Sequence, residues 1–246
     1  MLKKLTLAIS TAASAIAFSG FAVAETVDSP AGEFDVSMNA TLTSDYIFRG
    51  ITQTQGRGAI QGSLDVAHES GLYIGTWASN VNFGTDASVE FDYYAGFGND
   101  ITDDISYDIG WIKYSYPDES TLNFSEYYVS FSAYGFTLGT AFSDDFGGGD
   151  NTLYTYLGYD YTLPYAIGLA LKYGNYDFRN DTFFDSNGNG SDSYNDWSVG
   201  LSKTVVGLDL GLAYFDTDLD SDECEGFTGD AGHCDSTLVA SISKSL

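Results

Sequence analysis

The sequence predicts an all-β fold, a closed up-and-down antiparallel transmembrane β-barrel of about twelve strands. Three observations lead there: a two-residue apolar/polar rhythm from Phe34 to Leu246, predicted strands mostly ten to twelve residues long, and gaps that alternate between short and long. Phe34, Val36, Met38, Ala40 and Leu42 alternate with Asp35, Ser37, Asn39, Thr41 and Thr43, and the beat returns about a dozen times. Successive strand side chains point to opposite faces, so each such segment has one apolar and one polar face.

The amino terminus reads as an export signal. Lys3 and Lys4 are its positive region, Leu5 to Phe18 is mostly apolar or small, and Ala22-Val23-Ala24 is a small-x-small cleavage site before Glu25. The apolar stretch is too short, and too rich in Ser and Thr, for a good membrane-spanning helix. Residues 1–24 are therefore assigned to a cleaved signal peptide and residues 25–246 to a single barrel domain. No later segment has the roughly 20 continuous apolar residues of a transmembrane helix.

The rhythm resolves into strands at about 34–45, 58–67, 71–81, 88–98, 104–114, 122–133, 135–144, 152–162, 166–177, 194–203, 207–216 and 236–246. Strands of soluble proteins usually run about five or six residues, whereas a tilted transmembrane strand needs about 9–11. From the second strand on, every other gap is short: His68-Glu69-Ser70-Gly71, Gly98 to Asp104, Tyr134-Gly135, Leu163-Pro164-Tyr165 and Val205-Val206-Gly207. The remaining gaps are longer and polar or Gly-rich, as in Asp144 to Asn151, Arg179 to Ser193 and Thr217 to Ser236. Membrane barrels join strands by short turns at the periplasmic end and long loops outside. A Greek-key sandwich has no reason to sort its gaps by parity. An even strand count with both termini on the periplasmic side follows.

The apolar face carries Ile60, Leu64 and Val66, Phe91, Tyr93 and Phe97, Leu169 and Leu171, Val199 and Leu201, and Leu208, Leu210 and Leu212. In a barrel these side chains meet lipid. The opposite, small and polar set (Gly168, Ala170 and Gly174; Thr137, Gly139, Ala141 and Ser143) lines the lumen. Closure also removes sheet edges, which lipid could not hydrogen-bond. Tyr46, Trp111, Tyr114, Tyr116, Tyr161, Tyr165 and Tyr214 fall near strand ends, where amphipathic rings form headgroup girdles. The last strand alternates up to Leu246, which suits pairing with the first strand. It also matches the carboxy-terminal signal read by the barrel-assembly machinery, with Leu in place of the commoner Phe.

Composition fits an exported β-protein. Nine Lys+Arg face 35 Asp+Glu for a net charge of −26, which becomes −28 once both leader lysines are removed. Such a chain is no general nucleic-acid binder, because nothing neutralises phosphates. At 16% aromatic residues with three prolines it is too regularly patterned to be disordered. In an exported protein Cys224 and Cys234 favour a disulfide stapling one loop. His233 is adjacent, but no second cluster of soft ligands argues for metal.

The segment Ser44-Asp45-Tyr46-Ile47-Phe48-Arg49-Gly50-Ile51-Thr52-Gln53-Thr54, with Ala59 to Asp65, His68 to Tyr73, Gly75 to Val81 and Glu90 to Gly96, resembles the TorF-type porin family. The likeness covers nearly all of the chain after the leader. It implies an outer-membrane barrel that serves as a pore, with no established substrate, and it transfers no catalytic residues.

The lumen-facing parity holds Asp35, Asp65, Glu90, Asp92, Asp108, Glu126, Asp160, Asp196 and Asp209 against essentially one base, Lys172. A carboxylate-lined passage favours cations. Inward Tyr94, Tyr128 and Phe215 narrow it. Arg49 and Arg57 flank the first external connection. They are candidates for an eyelet opposite the acids, although the plainer expectation is that Arg49 pairs locally with Asp45 and pins the loop. Asp185, Asn187, Asn189 and Asp196 form an incomplete match to a calcium loop, and Asp216, Asp218, Asp220 and Asp222 form a second acidic run. Solvated acidic loops are the simpler reading of both. Two histidines, His68 and His233, assemble no Ser/His/acid set.

The expectation is a passive channel for ions or small solutes, biased to cations, without cofactor, monomeric or homotrimeric, in contact with outer-membrane lipid and lipopolysaccharide. The alternatives are an outer-membrane lipid-modifying enzyme and a non-conducting structural or adhesive barrel with ligand-binding acidic loops.

Overall fold

The structure, a computed structural model, describes residues 25–246, and the expected signal peptide lies outside them. In chain order its strands are β1 (Glu25–Ser29), β2 (Gly32–Thr43), β3 (Ile47–Phe48), β4 (Ile51–Thr52), β5 (Ala59–His68), β6 (Leu72–Asn80), β7 (Val89–Thr102), β8 (Ile105–Ser115) and β9 (Phe124–Ala133). Then follow β10 (Phe136–Phe146), β11 (Asp150–Leu163), β12 (Ile167–Asp177), β13 (Phe183–Phe184), β14 (Gly190–Ser191), β15 (Ser193–Val205), β16 (Leu208–Thr217) and β17 (Thr237–Ser245). Twelve of them (β2, β5 to β12 and β15 to β17) pair antiparallel with their neighbours, and β2 closes the ring by pairing with both β5 and β17. These are the twelve strands the alternation predicts, with ends shifted by a few residues.

The seam has a feature the sequence reading lacks. β17 pairs with β2 only from Ser241↔Thr43 to Ser245↔Asn39, after which Leu246 and Met38 exchange two backbone hydrogen bonds of 2.9 and 3.1 Å. Below that point β1 turns back through Pro30-Ala31 and takes over the same edge of β2, from Glu25↔Val36 to Ser29↔Gly32. β1 thus covers the part of the β2 edge that the short last strand does not reach.

Burial along each strand is inverted relative to a soluble protein. On β9, Tyr127, Val129 and Phe131 are 60%, 47% and 47% exposed while Phe124, Glu126, Tyr128 and Ser130 are buried. Phe136 and Leu138 on β10, Val199 and Leu201 on β15, and Leu210 and Leu212 on β16 repeat the pattern. A continuous exposed apolar belt of this kind requires an apolar solvent. Among the described residues no helix is long and apolar enough to cross a membrane. Inside, glycines make room for rings: a Cβ on Gly75 would collide with the ring of Tyr94, its register partner, and one on Gly139 with Tyr156.

Tyr46, Tyr114 and Tyr116 are not girdle residues. They are buried inside the barrel, while Tyr161, Tyr165 and Tyr214 are exposed outside. Parity explains it, since Tyr114 alternates with the lipid-facing Ile109 and Lys113 side of β8 and shares the inner face with Ile112.

The stretch from Thr217 to Ser236, read as an acidic loop, contains helix α1 (Ser221–Thr228). Asp220 accepts from the N–H groups of Asp222 and Glu223, and the Glu223 carboxylate accepts from the Asp220 N–H, each at 2.9 Å. This capping box satisfies helix donors that would otherwise face water. The expected disulfide joins Cys224 of α1 to Cys234 of the following 3₁₀ turn. Phe227 packs on Phe178 and Phe183, which in turn meet Tyr176 and Tyr194, so the cap sits on the aromatic cluster of the barrel interior.

Candidate functional site in the barrel lumen

After β2 the chain turns into the barrel instead of out of it. The Asp45 carboxylate accepts from the hydroxyls of Thr52 and Thr54, both at 2.6 Å, and this ties down a hairpin made of β3 and β4. Its two-residue tip, Arg49-Gly50, has φ of +48° and +85°, the pattern of a type I′ turn. At Gly50 a Cβ would collide with the methyl of Thr217 and lie 3.0 Å from Cβ of Asp196, so the tip rests on the wall formed by β15 and β16. The Tyr194 hydroxyl donates to the Arg49 carbonyl at 3.0 Å and fixes it there.

This hairpin carries Arg49 into the barrel interior. Its guanidinium donates to Glu126 at 2.8 Å with both side chains 0% exposed, and it lies 4.2–4.6 Å from the ring centroids of Phe48, Tyr154 and Tyr176. The ion pair is therefore long-range and spans the barrel, in place of the expected local pin with Asp45. A buried guanidinium needs groups that replace its hydration, and here a carboxylate and three aromatic rings contribute.

The acids of the inner-face parity lie in two tiers. At the long-loop end lie Glu90, Asp92, Glu126 and Asp196, all buried. Glu90 accepts from the hydroxyls of Tyr46 at 2.8 Å and Tyr116 at 2.6 Å, and Glu126 accepts from Tyr114 at 3.0 Å in addition to Arg49. Asp196 accepts from Tyr154 at 2.9 Å and lies 3.4 Å from Lys172 Nζ. Nearer the short-turn end, Asp65 accepts from Tyr94 and Ser63, Asp108 from Tyr73 at 2.7 Å, and Asp209 from Thr204 at 2.5 Å. Asp160 is exposed there, and Asp35 accepts from Thr26 at 2.7 Å. The lower acids are only partly covered, whereas the hairpin and the tyrosines bury the upper ones.

Arg57 remains at the surface. It lines a cleft of about 380 Å³ between the first loop and the disulfide cap, together with Asp45, Gln55, Asp230, His233 and Asp235. The calcium-loop candidates are separated. Asp185 accepts from Asn187 and Asn189 within its own turn, while Asp196 is held inside the barrel. The bonds from the Asn189 side chain and backbone, and from Asn187, hold the Asp185 carboxyl below the ordinary aspartate range. In the second acidic run, Asp218 accepts from Asn195 and Asp216 from Tyr214. Sequence reasoning missed Tyr46, Tyr116, Tyr154, Tyr176 and Tyr194 as lumen residues. For Tyr116, Tyr154, Tyr176 and Tyr194 parity with the inner face carried that signal, and their number near strand ends disguised it; Tyr46 lies in the loop after β2, where parity says nothing.

A family model for bacterial proteins of unknown function, Gcw_chp, matches residues 27–246. The chain belongs to that family. No curated protein sequence matches it. Among solved structures the KdgM porin superposes with a TM-score of 0.53 at 11% identity, over 85% of this chain and 99% of that one. The NanC porin does so with a TM-score of 0.52 at 13% identity, over 85% and 97%. At such identities the likeness shows the fold, a porin-type barrel.

Proposed function

We propose that this family member is a porin-like passive channel of the outer membrane for small solutes and ions, with a bias to cations. What supports the reading is an apolar exterior together with nine carboxylates on the opposite parity of the strands, near which lie only the guanidinium of Arg49 and the ammonium of Lys172 among the described residues. Fixed charge in a narrow, low-dielectric passage enriches the opposite ion. The porin-type fold and the likeness of the Ser44–Thr54 block to TorF-type porins support it. The inserted hairpin narrows the route, so small solutes are favoured over oligomers.

One observation favours a second reading, a barrel that does not conduct. Arg49, Tyr46 and Ile51 fill the upper lumen and are buried. Planar-bilayer recording decides between the two. Discrete openings with a cation-selective reversal potential in a KCl gradient support the channel, and a flat trace at all voltages supports the closed barrel.

A further inference from the structure

The upper tier holds one guanidinium of its own and leaves one carboxylate unmatched. Asp92 is 0% exposed, and among the described residues neither of its carboxylate oxygens has a hydrogen-bond partner. Its neighbours Phe91 and Tyr93 face lipid, so alternation aims Asp92 into the lumen. A buried carboxylate without donors is costly, so it either takes up a proton or meets donors supplied from outside the chain.

We propose that Asp92 is the binding point for a solute bearing an N–H cation, a primary ammonium or a guanidinium, as it passes the hairpin. The assignment rests on the cation-biased passage proposed above and names its solute class. Asp92 is flanked across the sheet by Trp77 on β6 and Tyr114 on β8, on the same inner face. Tyr46 of the hairpin meets the Trp77 ring edge-on with centroids 5.2 Å apart and donates to Glu90. A carboxylate with aromatic side chains on the neighbouring strands resembles the setting that holds Arg49, where Glu126 takes the N–H groups and Phe48, Tyr154 and Tyr176 cover the charge. At Asp92 the carboxylate and rings are present, and the cation would come from outside.

Two other occupants fit less well. A bare metal ion needs several oxygen ligands, and among the described residues no group of three His, Cys, Asp or Glu could hold one. A quaternary ammonium has no N–H, so it would leave the Asp92 oxygens unsatisfied. The fork of a guanidinium or the three donors of an ammonium satisfies them.

The test is titration of the purified barrel in detergent micelles with n-propylammonium chloride, with tetramethylammonium chloride as the comparison, followed by saturation-transfer NMR. We expect saturable binding of propylammonium, binding of tetramethylammonium at least about ten-fold weaker, and loss of at least about ten-fold in affinity in Asp92→Asn. Asp86→Asn, in an exposed loop, should bind like the parent. Equal affinity in Asp92→Asn, or no propylammonium binding by the parent, overturns the assignment. Should Asp92→Asn fail to show the heat-modifiable migration of a folded barrel, Trp77→Leu carries the test. It should weaken binding by about three-fold, and unchanged affinity overturns the proposal. Cation-selective conductance without propylammonium binding rejects this assignment and leaves the channel standing. Asp92-dependent binding in a barrel that passes no current rejects the channel and leaves the site.

Discussion

Arg49 and Glu126 stand 77 residues apart in the chain and 2.8 Å apart in space, and together they bolt the first loop across the barrel. Arg49→Met would leave the Glu126 carboxylate buried without its cation, a change that costs about 3–5 kcal/mol. The double variant Arg49→Met/Glu126→Gln should lose clearly less, because no charge is stranded. Urea unfolding in micelles measures both. Equal losses would mean that the pair does not hold the hairpin.

Gly50 sits at φ +85° with the Thr217 methyl where a Cβ would go. Gly50→Ala should cost about 1 kcal/mol or more and lift the tip from its wall. The same variant should raise single-channel conductance without altering the sign of selectivity, since no charge changes.

The inner glycines make a graded test of ring packing. A Cβ on Gly75 collides with Tyr94, whereas on Gly158 its nearest neighbour is 3.8 Å away. Gly75→Ala should therefore destabilise the barrel by about 1–3 kcal/mol, and Gly158→Ala by far less. Matching unfolding midpoints for the two would remove the steric argument.

Cys224 and Cys234 close a short ring inside the cap. Chain-entropy arguments give such a ring about 3 kcal/mol, applied to that segment. Replacing both with alanine should speed amide exchange across residues 221–234 while the melting temperature of the barrel stays put. A fall in barrel stability would show that the cap is part of the main cooperative unit.

Asp185 supplies a pH signal at the loop end. Hydrogen bonds from Asn189 and Asn187 depress its folded-state pKa, so its stabilisation of the turn is present above the unfolded aspartate value and fades as pH falls through the lower folded value. Carboxyl-carbon NMR should find this group titrating below the exposed aspartates. Asn189→Ala should move it back toward the ordinary range, and an unshifted titration would contradict the bonding seen.

Much of the fold was legible because it depends on parity. Tyr127, Val129 and Phe131 alternate with Glu126, Tyr128 and Ser130 in the sequence as they do in space, and a strand has no other way to separate them. The same rule placed Glu90, Asp92 and Asp196 on the inner wall. Parity does not tell which way a loop turns. That the Phe48-Arg49-Gly50-Ile51 hairpin enters the lumen depends on Glu126, which becomes its neighbour only when the barrel closes. The capping box of Asp220 and Glu223 was readable in principle but hidden among aspartates that looked like a charge run. The tyrosines misled for a related reason. Nearness to a strand end suggests a headgroup position, and only facing separates Tyr114 inside from Tyr214 outside.

Everything rests on which face of the sheet meets hydrocarbon, and spin-label accessibility along β9 in lipid vesicles measures it most directly. Labels at Val129→Cys and Phe131→Cys should collide with dissolved oxygen and be shielded from a polar nickel complex, and labels at Ser130→Cys and Ser132→Cys should show the reverse. The opposite alternation, or none, would contradict a barrel whose outside is solvated by lipid and whose inside is lined with acids.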